Sequence, residues 1–323
     1  MKRALITGIT GFAGSHLAEF LLKKGVEVYG TRRWRSKLDN IVNIEDRIKL
    51  LEADIRDGYS VAKAVEESSP DYIFHLASQS SVSTSWRAPA DTMETNTIGT
   101  IHLLEAVRQS KCDPVIQIAG TSEEYGMVYP DELPVREMNP LRPLSTYAVS
   151  KLATDKLGYQ YHMSYGLKVV ITRAFNHTGP RRGDVFVTSN FAKQIAEIEH
   201  GIKKPIIYVG NLNASRDFSD VRDVVNAYWL AVTKCEYGNT YNVCSEKKRT
   251  IQSVLDLLLG MTDVKIEIKQ EPSRIRPSDV EYIYGDCSKF KAITDWKQES
   301  AFEKTMDDLL NYWRERVRAM YTQ

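Results

Sequence analysis

Gly8-Ile9-Thr10-Gly11-Phe12-Ala13-Gly14 follows directly on the β-branched run Arg3 to Thr7 and leads into Ser15 to Lys24, where Leu17, Phe20 and Leu21 share one face. A strand, a glycine turn and a helix in that order decide the fold. Glycines permit the tight turn, let main chain approach a pyrophosphate and let the helix pack on the strand, while the phosphates meet the positive helix end. Gly8, Thr10, Gly11, Phe12, Ala13 and Gly14 are therefore the expected phosphate cradle of a dinucleotide.

Outward from this turn, Val26 to Thr31, Ile48 to Asp54, Asp71 to Ala77, Pro114 to Gly120 and Lys168 to Asn176 have the composition of buried strands. Helical patterns such as Thr92 to Ser110 separate them, and parallel strands need such crossovers. The expected fold is α/β: a Rossmann-like, doubly wound parallel sheet in residues 1–176 with a smaller α/β C-terminal substrate lobe in residues 177–323. After Asn176 the rhythm loosens into a GPRRGD loop, a helix from Ser189 to Gly201, the strand PIIYVGN and a helix from Asp220. No linker or repeat divides the halves, so later segments are expected to cross back to the sheet.

Lys and Arg number 43 against 42 Asp and Glu, a net charge of +1 over 323 residues. No global field therefore favours nucleic acid or an anionic membrane as partner. No segment approaches the ~20 apolar residues that span a bilayer, and the N-terminus lacks the apolar core of a secretory signal. A cytoplasmic protein is expected. Cys112, Cys235, Cys244 and Cys287 lie far apart without CxxC spacing, the pattern of reduced structural thiols and not of a metal site.

NAD-selective sites place a carboxylate about twenty residues beyond the glycines, at the end of the second strand. Here that place reads Thr31-Arg32-Arg33-Trp34-Arg35-Ser36. A carboxylate would repel a 2′-phosphate, whereas guanidinium forks bind it. Arg32, Arg33 and Arg35 thus favour NADP over NAD, with a solvated basic loop or a subunit contact as alternatives. Asp54 and Ile55, closing the third strand, are placed to hold the adenine edge.

Tyr147-Ala148-Val149-Ser150-Lys151 sets a phenol and an ammonium four residues apart, hence on one helix face. A phenol with pKa about 10 exchanges protons poorly near neutrality, and a nearby cation is expected to lower that value. Tyr147 is the expected acid-base group. Thr121, Ser122 and Glu123 follow the fifth strand, at whose carboxyl end ligands of such sheets bind. Thr121 is placed to support Tyr147, and Glu123 to act as a base or to serve only as a strand-end cap. His75 and His177 are expected to be hydrogen-bonded structural residues. Phe302, Met306, Leu309, Leu310 and Trp313, at helical spacing, are expected core.

At these residues the chain resembles the extended short-chain dehydrogenase/reductases that act on nucleotide-sugars, over nearly its whole length. More narrowly, HLASQSSVSTSW, TSEEYG, YAVSK, RAFNHTGPRRGDVFVT, GNLNASRDFSDVRD and RPSDVEYIYGD resemble the GDP-mannose 4,6-dehydratases and the GDP-6-deoxy-4-keto-mannose reductases. The resemblance implies a catalytic set of Thr121, Ser122, Glu123, Tyr147 and Lys151, with Glu123 as the base that removes a C5 proton. It implies cofactor contacts at Leu76, Ala77, Tyr147 and Lys151, and substrate contacts at Ser81, Glu123, Asn176, Val187, Lys193, Arg216 and Arg276. A diphosphate needs cationic forks, and Arg216 and Arg276 are of the right kind.

Phe12-Ala13 and EEYG match the reductases, whereas GPRRG and the arginine-rich loop match the dehydratases. The activity implied first is GDP-mannose 4,6-dehydration: oxidation at C4, elimination of water across C5 and C6, and return of hydride to C6. The alternative is an NADPH-consuming 4-reductase of the keto sugar, followed by another nucleotide-sugar epimerase and, last, a non-catalytic NADP-sensing module. A homodimer or homotetramer is expected, with Thr92 to Ser110 and Thr146 to Gly166 as candidate contact surfaces.

Overall fold

The computed structural model describes residues 1–274 and 280–321. Its first half runs β1 (Arg3–Thr7), α1 (Phe12–Lys23), β2 (Glu27–Arg32), β3 (Lys49–Glu52), α2 (Gly58–Ser68), β4 (Tyr72–His75), α3 (Val82–Arg87), α4 (Pro89–Met93), α5 (Gly99–Gln109), β5 (Val115–Thr121), α6 (Thr146–Tyr165) and β6 (Lys168–Ala174). The second half runs β7 (Asn176–Thr178), α7 (Val187–Glu199), β8 (Ile206–Val209), β9 (Ser215–Asp220), α8 (Val221–Lys234), β10 (Thr240–Val243), β11 (Lys248–Thr250), α9 (Ile251–Leu259), β12 (Glu267–Gln270), α10 (Ser288–Thr294) and α11 (Phe302–Tyr321).

Seven strands form one parallel sheet in the order β10-β6-β5-β4-β1-β2-β3. The order reverses between β1 and β4, and ligands of such sheets bind beyond the carboxyl ends at that point. Both sheet faces are covered, which is why RALIT and VIQIAGT show no polar alternation. Residues of α1 and α8 pack on Ile6, Phe74 and Val170. On the opposite face, α2, α5 and α6 pack on Leu5, Ile73, Ile116 and Ile171.

β11, β9 and β7 form a three-stranded sheet, and β8 pairs in parallel with β12. Their apolar side meets α7, α9 and α11 in a separate core. The stripe Phe302, Met306, Leu309, Leu310 and Trp313 is buried in it, and Trp313 Nε1 donates to Ser189 Oγ at 2.7 Å. β10 joins the main sheet and α8 packs on it, although both lie between segments of this lobe in sequence. The four cysteines are free thiols. Among the described residues no helix is long and apolar enough to cross a membrane.

Two elements differ from the sequence expectation. The strand expected over Lys168 to Asn176 is two strands in two sheets. Phe175 N donates to Val243 O at 2.9 Å, and Asn176 then pairs with Phe218 of β9. An unbroken apolar and β-branched run carries no sign of a change of partner. The helix expected from Thr92 starts at Pro89, whose fixed φ suits a first turn, and is interrupted by a π segment at Glu94–Ile98. That segment contains Asn96, 1 % exposed, whose Oδ1 accepts from Gln79 N at 2.8 Å. Its Nδ2 donates to Gln79 O at 3.0 Å and to Ser150 Oγ at 2.9 Å. Such π turns recur where function requires an unusual side-chain direction.

Trp296 joins α10 to α8: its Nε1 donates to Asp223 O at 3.1 Å, its ring lies edge-on to Phe290, and it is 2 % exposed. Trp296→Ala is expected to cost about 3–5 kcal/mol of stability in urea unfolding. A loss under about 1 kcal/mol would show that this cap is not part of the main core.

Candidate active site

A cleft of about 420 Å³ opens at the carboxyl ends of β1, β2, β4 and β5, with the β1–α1 turn along one wall. Gly8 there has φ +72°, a Cβ on it would lie 3.0 Å from Ala77 Cα, and a Cβ on Gly14 would lie 2.5 Å from Gly8 O. The first turn of α1 has neither a side-chain cap nor an acidic residue. Its amide donors and positive helix end suit an anion. Gly8, Thr10, Gly11, Phe12, Ala13 and Gly14 line this cradle, which fits a dinucleotide pyrophosphate. Leu76 and Ala77 form the facing wall, and both of their N–H groups donate to Thr7 Oγ1 at 3.0 Å.

Arg32, Arg33 and Ser36 line the far end together with Asp54, Ile55 and Arg56. Arg33 N donates to Ser36 Oγ at 3.1 Å. Hydrogen bonds from Arg56 hold the Asp54 carboxyl below its ordinary range, with Nη2 to Oδ2 at 2.9 Å. Arg35 departs from expectation. Its guanidinium stacks 4.2 Å over Trp34 and lines an adjoining recess of about 510 Å³, not the main cleft.

Ser145 caps α6 by accepting from Ala148 N at 3.1 Å, which fixes Tyr147 in the first turn and Lys151 one turn later. Both line the cleft. Burial raises the pKa of the Tyr147 phenol, as the Glu123 charge does, while the Thr121 side chain and the Arg182 charge act to lower it. Lys151 stands one helical turn from Tyr147 on α6. Its Nζ donates to Ala119 O at 2.8 Å, and burial lowers its own pKa to about 8.

After β5 the chain makes a single 3-10 turn, Ser122–Glu124, closed by a capping box. Glu123 N donates to Thr121 Oγ1 at 3.3 Å, and Thr121 N donates to Glu124 Oε1 at 2.8 Å. The cap is thus Glu124. Glu123 is left free to line a second recess, of about 660 Å³, together with Asn176, Val187 and Arg216. Ser122 is 3 % exposed and lines neither cavity.

Two expected substrate contacts, Lys193 and Ser81, do not line the recess. Lys193 is absent from the recess wall because its Nζ pairs with Asp184 at 2.6 Å, and Asp184 is the lining residue. Ser81 is the N-cap of α3, accepting from Thr84 N at 3.2 Å. Arg276 lies outside the described residues. Arg216 does line the recess, and its Nη1 donates to Ser215 O at 2.9 Å and Val280 O at 2.6 Å.

Arg182, Tyr228 and His177 also line the dinucleotide cleft, and sequence reasoning did not single out the first two. The Arg182 guanidinium lies 3.4 Å from the Phe186 ring centre and 4.9 Å from that of Phe12. Burial lowers its pKa to about 10. Neighbouring Arg181, at φ +71°, turns instead to Glu19 and Ser15 on α1. Adjacent arginines after Gly179-Pro180 were the available signal, but not which one enters the cleft. His75 is structural as expected, bonded to Thr7 Oγ1 at 2.9 Å and Thr100 Oγ1 at 3.0 Å. His177 bonds Phe175 O at 3.0 Å and also stacks on Phe12 in the cleft.

A glycine-turn parallel sheet with Tyr147 and Lys151 at its switch point defines the extended short-chain dehydrogenase/reductase class. Residues 5–309 match the family model described as GDP-mannose 4,6 dehydratase, and the chain belongs to that family. It is 33% identical over 317 residues to the GDP-6-deoxy-D-mannose reductase of Pseudomonas aeruginosa, covering 98% of this chain and 99% of that one. It is 36% identical over 321 residues to GDP-mannose 4,6 dehydratase 2 of Arabidopsis thaliana, covering 94% and 84%. The solved structure of RMD from Pseudomonas aeruginosa complexed with NADPH superposes with a TM-score of 0.86 at 30% identity, covering 98% of this chain and 100% of that one.

Gly14→Ala places a methyl against the Gly8 carbonyl, so the turn must open. Titration calorimetry is expected to show at least a tenfold loss of dinucleotide affinity, about 1.4 kcal/mol. Unchanged affinity would place the pyrophosphate elsewhere.

Proposed function

We propose that the protein is an NADP-dependent GDP-mannose 4,6-dehydratase. The observation that carries this is Glu123: a carboxylate with no hydrogen bond or ion pair among the described residues, on the wall of the recess beside Asn176 and Arg216. Thr121, which acts to lower the pKa of the Tyr147 phenol against burial, lies at the other end of the same short turn. Bound NADP would supply a hydride acceptor that later returns the hydride. Tyr147, supported by Thr121, takes the proton of the C4 hydroxyl as that carbon is oxidised. Glu123 then removes the C5 proton, made acidic by the neighbouring ketone, and water leaves from C6. Arg216 is a candidate fork for the diphosphate. The 2′-phosphate reading is supported by Arg32 and Arg33 at the cleft end and by the NADPH-bound relative.

A second reading, NADPH-dependent reduction of the 4-keto sugar, is favoured by the Pseudomonas aeruginosa reductase and by Phe12-Ala13 in the glycine loop. Either activity suits a homodimer or homotetramer. Val149, Tyr159 and Met163, at 43%, 50% and 64% exposure on α6, support a contact there.

Purified protein with GDP-mannose and catalytic NADP⁺ is expected to form a 4-keto-6-deoxy product, followed by mass spectrometry, with no net loss of cofactor. Glu123→Gln is expected to lower that turnover by about 10²- to 10⁴-fold. Stoichiometric NADPH oxidation with the keto sugar, barely changed by Glu123→Gln, would instead establish the reductase.

A further inference from the structure

Beneath the catalytic groups lies a cluster of four ionisable side chains, each at most 6 % exposed: Glu124, Lys151, Asp155 and Arg173. Arg173 on β6 donates through Nε to Glu124 Oε2 at 3.1 Å, and through Nη2 it pairs with Asp155 Oδ2 at 3.0 Å. Its Nη1 donates to Tyr125 OH and to Glu137 O, both at 3.2 Å. Two carboxylates against one guanidinium leave an anionic centre, and buried charge needs a compensating partner. Exposed Lys156 touches Asp155 from the solvent side at 3.3 Å, where water screens it. Lys151 is the buried cation that remains.

The geometry brings Lys151 and Glu124 to the two peptides that flank Gly120. Lys151 Nζ bonds Ala119 O, and Glu124 Oε1 lies so close over the next residue that a Cβ on Gly120 would approach it to 2.7 Å. Gly120 has no side chain because the Glu124 carboxylate occupies that space. The same oxygen accepts from Thr121 N, and the Thr121 side chain acts to lower the pKa of the Tyr147 phenol against burial.

We propose that Glu124 is a positioning residue of this site: its carboxylate fixes Thr121 through the main chain and is the buried counter-charge of Lys151 beside Gly120. The role rests on Tyr147 being the acid-base group proposed above, with Lys151 one turn away on α6. It differs from that of Glu123, which faces the recess. The charges around the pair act in the directions this requires. Glu124 is the one neighbour that raises the pKa of Lys151 against burial, while burial and Asp155 raise that of Glu124 and Arg173 opposes them. On the β4 side His75 is neutral, its pKa lowered to about 3 by burial and then by Lys151. Around Tyr147 stand Glu123, Glu124 and Arg182.

The test is the ionisation of Lys151 itself, followed by NMR of [13Cε]-lysine protein and assigned by the signal lost in Lys151→Met. The wild-type midpoint is expected near 8. Glu124→Gln is expected to move it down by about one pH unit or more, and Glu124→Asp to restore most of the shift. The alkaline limb of kcat is expected to move with it. An unchanged midpoint in Glu124→Gln overturns the proposal. Should that variant fail to fold, Asp155→Asn decides. Relieved of its neighbouring carboxylate, Glu124 stays ionised to lower pH, and the Lys151 midpoint does not fall. A fall there overturns the proposal, since Lys151 would then answer to any charge in the cluster. The resonance titrates whether or not GDP-mannose is turned over, so failure of the dehydratase assay leaves this result legible.

Discussion

No atom larger than hydrogen fits on the Cα of Gly14, and the rest of the structure depends on that constraint. The helix α1 rests directly on the turn that precedes it, with the Gly8 carbonyl in the space a side chain would take. Ile9, the next residue of the turn, fills the place of a side chain at Gly30, where a Cβ would meet its Cδ1 at 2.4 Å. β2 is thereby held tight against β1, and the arginines after it come to the end of the same cleft. Because β4, β5 and β6 continue the parallel ladder from β1, the tyrosine and lysine of α6 reach that cleft from its other end.

What is local in the chain was legible in the sequence. The glycine turn, the apolar strands and the four-residue spacing of Tyr147 and Lys151 each depend on residues within one or two turns of each other, and among the strands it is the run from Lys168 that the structure divides. What depends on distant partners was not legible. Lys193 carries a cation, but whether it faces the recess is decided by Asp184, nine residues away across a loop. Arg181 and Arg182 are chemically equivalent in the sequence, and a single left-handed residue sends one to α1 and the other to the cleft. The fork at Phe175 is set by Val243 and Phe218, which the run from Lys168 cannot reveal.

The two glutamates after β5 show how adjacent residues of one type divide their work. Glu124 turns inward to Arg173 and closes the capping box, and this releases Glu123 toward the recess. A pattern of residue types gives both a carboxylate and a position. Only the packing of β5 on β6 and α6 decides which carboxylate is structural and which is presented to a ligand. The lobe built by α7, α9 and α11 contributes the opposite wall of that recess through Val187, Asn190 and Tyr208.

Asn96 links the loop after β4 to the helix that carries Tyr147 and Lys151, because a single amide bonds both Gln79 and Ser150. In evolutionary terms the two segments are not independent traits. A lineage that reshapes the loop, which lines the dinucleotide cleft, disturbs the seat of the helix carrying Tyr147 and Lys151 in the same step, so viable variants must change both together. Among relatives, residues near Gln79 and Ser150 are therefore expected to covary, and the π turn around Asn96 to persist.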